Sequence, residues 1–129
     1  MAHFLSDVVG RSTPFGLRIE RRGVWLASSI EMAGDSKSRK QGLLGRDALA
    51  PGSGLVIAPS QGIHTFGMRF PLDIVCVARD GRVVKYRPSV APRRIVLAFS
   101  AFAILELASG ETVRAGLQVG ERLIVDLAV

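Results

Sequence analysis

The sequence predicts a mainly β fold: a compact antiparallel β-sandwich or small, jelly-roll-like barrel with two short helices. Short apolar stretches recur at intervals of about 8–12 residues, divided by glycine, proline and small polar residues, as in all-β domains. Arg79-Asp80-Gly81-Arg82 places the Asp-Gly pair of tight hairpins between two apolar runs. Strands do not alternate with long helical patterns and no internal repeat occurs, so a parallel α/β sheet is not expected.

In chain order, residues 1–14 read as a flexible leader ending at Pro14, because a chain end without an anchoring strand frays. Residues 15–129 form a single β-rich domain. Phe15 to Glu20 alternates and reads as a strand, Arg21-Arg22-Gly23 as a turn, and Val24 onward as the returning strand, extending toward Met32. Asp35, Ser36 or Ser38 can cap a helix over Ser36 to Leu44, and Gly45 is suited to end it. Asp47 to Gly54 is a glycine- and proline-containing loop. It lacks the Gly-Lys-Ser/Thr ending of a phosphate cradle.

Leu55 to Ala58, Ile63 to Phe66 and Leu72 to Ala78 follow as strands. Pro71 stands just before the last of these, since proline has no N–H to give to a ladder. Val83 to Arg87 is the returning arm of the Asp-Gly hairpin. Pro88 and Pro92 bracket a loop. Ile95 to Phe99 and Phe102 to Leu107 are two more strands, Ser109 to Ala115 a short helix ended by Gly116, and Glu121 to Leu127 the last strand.

The composition narrows the function. No apolar run reaches the roughly 18 residues of a membrane helix. The first ten residues lack a cationic start and a continuous apolar centre, so a secretory signal is not expected. One cysteine excludes an intramolecular disulfide and fits a reducing compartment, which makes the cytoplasm the expected location. The net charge is +6, and Lys37, Lys40 and Lys85 are the only lysines. The remaining cations are arginines, suited to carboxylate and phosphate contacts. They are scattered and form no block, so they read as solvated charge before a nucleic-acid surface.

The stretch Ile63–Val77 concentrates the unusual residues. Asp73 lies in a strand that is apolar on both faces, with Leu72, Ile74 and Cys76 on one side and Val75 and Val77 on the other. A buried carboxylate needs company, because an isolated charge there costs several kcal/mol. Arg69, Arg46 and His64 are candidate partners. Backbone N–H groups at a structural corner are the other possibility. His64 sits on a short strand beside Phe66, Met68 reads as packing or a pliable pocket wall, and Cys76 as a small core residue. A His64–Asp73–Cys76 metal set has no paired spacing to support it, so no metal and no cofactor are expected. No Gly-x-Ser-x-Gly elbow is present.

Four motifs in order resemble those of a known family. Ile30-Glu31-Met32-Ala33 followed by Ser38-Arg39-Lys40-Gln41-Gly42-Leu43-Leu44-Gly45-Arg46 looks like a strand and an arginine-bearing helix. Pro71-Leu72-Asp73-Ile74 looks like a central Pro-Leu-Asp-Ile. Leu105-Glu106-Leu107-Ala108-Ser109-Gly110 and then Gly116-Leu117-Gln118-Val119-Gly120-Glu121 look like the closing strand and helix. Together, over about residues 24–127, they resemble the domain of unknown function 192 family, the uncharacterised ACR proteins. The resemblance implies a small, mostly β domain with two short helices and no established activity. Where many relatives carry Phe-Trp-Met-Lys-Asn-Thr, this chain has the shorter Phe66-Gly67-Met68-Arg69-Phe70, without the tryptophan.

The function expected from these residues is a non-catalytic binding or accessory module for a small anionic ligand or peptide. Its pocket would draw on Arg46, His64, Met68, Arg69 and Asp73. The alternatives are a metal-dependent or hydrolytic enzyme using His64 and Asp73, and non-specific nucleic-acid binding. No oligomeric state is implied.

Overall fold

The computed structural model describes residues 2–33, 43 and 45–127. Among them are the strands β1 (Phe15–Ile19), β2 (Val24–Ala33), β3 (Ser53–Ile57), β4 (Gly62–His64), β5 (Leu72–Val77), β6 (Val83–Val90), β7 (Ile95–Leu97), β8 (Ala103–Ala108) and β9 (Leu123–Asp126), with one α-helix, α1 (Glu111–Ala115). The helix expected over 36–44 lies outside the described residues, apart from Leu43.

Seven strands form one sheet in the order β6-β5-β8-β3-β2-β1-β9, and β4 pairs with β7 in a separate ribbon. All pairings are antiparallel except β2 with β3, which run parallel with Glu31 opposite Leu55. The sheet curls until its two edge strands meet at one end. Leu123 N donates to Gly81 O at 2.8 Å, Val83 N to Glu121 O at 2.9 Å and Gly120 N to Val83 O at 2.8 Å. An isolated bridge joins Arg82 to Arg122. The result is a half-barrel, closed at this seam by a few bonds and not by a full ladder.

Alternation along the strands divides the core between two faces. Val75, Val77, Leu105 and Leu107 belong to the first cluster, with Leu17, Ile19, Leu26 and Ile30. Leu72, Ile74, Cys76 and Ile104 belong to the second, with Leu55, Ile57, Leu43 and Met68. The ribbon covers the second face, to which its Val96 and Ile63 contribute. Each large side chain fully buried this way contributes about 1.5–3 kcal/mol. β5 and β8 lie mid-sheet and bury both faces, which is why they read as continuous apolar runs.

The leader departs from expectation. Ser6–Val8 forms a 3₁₀ turn, Leu5 and Val8 are fully buried in the first cluster, and Phe4 N donates to Arg79 O at 2.8 Å. Two apolar residues three apart share one side of such a turn. β6 also runs past its expected end at Arg87, through Pro88, which a sheet tolerates on an edge strand.

Gly81 has φ +94°, and a Cβ there would come within 2.6 Å of Leu123 O at the seam. Gly120 has the same φ but open space around it. Both alanine variants should therefore suffer backbone strain, and Gly81→Ala should lose about 1 kcal/mol or more beyond Gly120→Ala. Urea midpoints measure this, and equal losses would argue against a close-packed seam.

Candidate functional site

Asp73 is fully buried, and its partners are backbone amides and one hydroxyl. Its Oδ1 accepts from Ser89 N at 2.8 Å and from Gly110 N at 3.1 Å. Oδ2 accepts from Thr112 N at 2.8 Å and from Thr112 Oγ1 at 2.7 Å. Gly110 has no side chain to cap α1, so a carboxylate from β5 takes the first-turn N–H instead. On the other side Asp73 stands opposite a bulge: Leu72 pairs with Val90 and Ile74 with Arg87, leaving Pro88 and Ser89 against it. Ser89 has φ +47°, and its N–H is fixed by Oδ1. Four donors match the four lone-pair sites of an ionised carboxylate. Of the two kinds of partner expected for Asp73, the structure has the backbone N–H groups, joined by the Thr112 hydroxyl, and not Arg69, Arg46 or His64.

The other candidates lie elsewhere. His64 is exposed on β4, its ring 5.8 Å from that of Phe66. Asp73 shares the first face with Val75, whereas the ribbon bearing His64 covers the second, so the two are not an acid–base pair. Met68 is buried in the second cluster beside Leu43. Arg69 Nη1 lies 2.6 Å from Asp47 Oδ1, and Arg46 Nη2 lies 3.5 Å from Glu31 Oε2. The structure thus ties Arg69 to Asp47, next in sequence to Arg46, places Met68 in one cluster with Leu43, and leaves Asp73 out. Cys76 is buried, and burial pushes its thiol pKa up, as for an inert core cysteine. Among the described residues no three His, Cys, Asp or Glu side chains are grouped to hold a metal.

A residue not singled out in the sequence joins this group. Glu106 lies mid-sheet on β8, between Leu55 of β3 and Ile74 of β5. It alternates with Leu105 and Leu107 and so faces the second cluster. It is 5% exposed, and its Oε2 has no hydrogen-bond partner among the described residues. Burial raises its pKa to about 7, against a smaller opposing pull from the Arg46 guanidinium. The pairings set Glu31, Leu55, Glu106, Ile74 and Arg87 in one row across five strands. An acid inside an apolar strand, the signal that marked Asp73, is equally present in Ile104-Leu105-Glu106-Leu107.

A concavity of about 790 Å³ lies at the seam, lined by Arg21, Arg22, Arg82, Arg122, Glu20 and Glu121 among others. Most of its cations hold the fold. Arg22 bonds Glu121 and the carbonyls of Ala115 and Gly116, Arg82 bonds Gly120 O and Arg122 bonds Asp80 O. Among the described residues no helix is long and apolar enough to cross a membrane.

Comparison with known proteins adds the following. No curated protein matches the chain. A crystal structure of a candidate transcription regulator from Sinorhizobium meliloti 1021 superposes with a TM-score of 0.76 at 25% identity, over 88% of this chain and 92% of that one. A crystal structure of a protein of unknown function from Novosphingobium aromaticivorans DSM 12444 superposes with a TM-score of 0.73 at 23% identity, over 85% of this chain and 82% of that one. The sequence profile of domain of unknown function 192, described as uncharacterised ACR, matches residues 17–125.

The raised pKa of Glu106 has a stability consequence. The unfolded carboxyl ionises near its ordinary value of 4.5 and the folded one near 7, so folding keeps a proton that the unfolded chain releases. Its stabilisation is complete below about 4.5 and is lost as pH rises through about 7, by roughly 3 kcal/mol at most. Glu106→Gln should remove this slope, so the variant gains on the wild type as pH rises through that window. Urea titrations across it measure the difference, and parallel pH profiles would show that Glu106 is not the buried acid described.

Proposed function

The chain belongs to the domain of unknown function 192 family, and from that premise we propose that it is a non-catalytic binding or accessory module for a small ligand or peptide bearing an anionic group. The recognising residues are Arg46, Arg69 and Glu106, with Met68 and the second cluster as the apolar wall. One observation supports this reading: the buried Glu106 carboxyl has an oxygen without a partner among the described residues, within reach of the charge of Arg46. An unsatisfied buried polar atom is costly, and natural folds keep few of them without a use. Among the described residues Arg46 and Arg69 are each tied by one exposed ion pair, which is worth little and is readily exchanged for a ligand.

The chemistry follows from the protonation state. When neutral, the Glu106 carboxyl donates one hydrogen bond, and Arg46 donates to the same anionic group. A ligand anion beside Glu106 favours its protonated form, so binding takes up a proton. Asp73 has no part in this reading, since its lone pairs are filled within the fold.

Calorimetric titration with acetate, succinate and glycylglycine at about pH 6 and about pH 8 tests the proposal. At least one should bind, and more weakly at the higher pH by roughly tenfold. Arg46→Ala should abolish the binding, and Glu106→Gln should remove its pH dependence. Binding that ignores pH and survives Arg46→Ala would contradict this site, as would no heat from any of the three.

A further inference from the structure

The outer face of the β4–β7 ribbon is apolar and ringed by cations. Val96 points into the core, so its neighbours Ile95 and Leu97 point out, 64% and 49% exposed. His64 pairs with Ile95 across the ribbon, and Phe66 extends the patch beside His64. Lys85 and Arg87 lie on the second face, the side that the ribbon covers, and Lys85 Nζ donates to Leu97 O at 2.7 Å. Arg93 and Arg94 are exposed immediately before Ile95. Among the described residues none of these four cations has a carboxylate partner within ion-pair distance. Neither Ala48–Leu72 nor Gly81–Leu105, the two stretches that contain the ribbon, has an aspartate or glutamate.

The arginine pair is held in place by buried structure. Thr65, 1% exposed, donates through Oγ1 to Ala91 O at 2.7 Å and accepts from Arg94 N at 2.8 Å. Its own N–H donates to Arg94 O at 2.8 Å, and its carbonyl accepts from Arg93 N at 3.2 Å. Arg93 is held at φ +67°, a conformation that costs a non-glycine residue free energy and persists only when its surroundings enforce it. These bonds fix the backbone of two exposed arginines next to Ile95, and Arg94 Nη1 donates to Arg93 O at 3.3 Å and to Pro92 O at 3.5 Å.

We propose that this ribbon face docks an acidic segment of a partner protein, whose aliphatic or aromatic side chains seat on Ile95 and Leu97 while its carboxylates meet Arg93 and Arg94. Charge complementarity selects the partner. A second copy of this chain would set the same cations against each other. Single-stranded nucleic acid calls for successive aromatic platforms, and this face offers aliphatic anchors with one phenylalanine. The surface is separate from the Glu106 site and stands or falls without it.

Display selection of random peptides of about twelve residues against the intact chain, near physiological salt, tests the proposal. Selected peptides should combine Asp or Glu with Leu, Ile or Phe. The tightest, made synthetically, should lose at least roughly tenfold in affinity on Arg93→Glu/Arg94→Glu and again on Ile95→Ser/Leu97→Ser. Both face variants replace exposed residues, and an unaltered thermal midpoint confirms that they fold. Four results would overturn the proposal: no peptide enriched; peptides whose binding survives both face variants; an oligo-dT strand that binds more tightly than any selected peptide; or a dimer in light scattering that Ile95→Ser/Leu97→Ser dissociates.

Discussion

One buried carboxylate ties three parts of the fold together at a single point. Asp73 leaves β5 on the first face and gathers the N–H of Ser89 from the bulge in β6, and those of Gly110 and Thr112 from the start of α1. A helix of five residues has little stability of its own, since the first turn fixes several residues for one hydrogen bond. α1 persists because Asp73 caps it from below and because Arg114 reaches from it to the carbonyls of Trp25 and Leu26 on β2. Glu111 adds a bond from Gly52 N, at the approach to β3. Remove the Asp73 carboxylate and both the bulge and the helix start lose a fixed point.

Two acids in adjacent central strands meet opposite fates. Asp73 is satisfied by four donors, and a carboxylate so placed is part of the framework. Glu106 faces the other side of the sheet, among Leu55, Ile74 and the second cluster, and one of its oxygens has no partner among the described residues. Burial and alternation alone do not separate the two; the supply of backbone N–H groups does. The first face has a helix start and a bulge at that point, and the second has closed ladders on both flanks of Glu106. That difference moves the proposed binding centre from Asp73 to Glu106, while Arg46, Arg69 and Met68 stay with it.

Much of the framework was legible in local sequence. Asp80-Gly81 marked the β5–β6 hairpin, and the alternation from Leu72 to Val77 assigned the faces correctly. Pairings that depend on distant segments were not legible. Nothing in Ile30 to Ala33 says that β3 will lie beside it in parallel, because the partner arrives after a crossing of about twenty residues. The seam was equally hidden, since Gly81 and Leu123 meet only once the sheet has curled. The burial of Leu5 and Val8 could have been read from their spacing, but chain-end position argued against it. Within the site, the acid-in-an-apolar-strand pattern applied to Glu106 as much as to Asp73. Pro71 drew attention to the one, and no such marker stood beside the other. Both kinds of partner for Asp73 were legible, side-chain cations and backbone amides at a corner, but not the choice between them, because a sequence does not show which amides a helix start and a bulge leave free.

Asp73 stabilises the fold through its bonds to the start of α1. A double-mutant cycle between Asp73→Asn and Thr112→Val, read from urea midpoints, tests it most directly. The account predicts strong coupling: Asp73→Asn costs about 3 kcal/mol or more, and Thr112→Val costs about 1 kcal/mol in the wild type and much less once Asp73 is changed. Additive losses, or an Asp73→Asn variant as stable as the wild type, would contradict it.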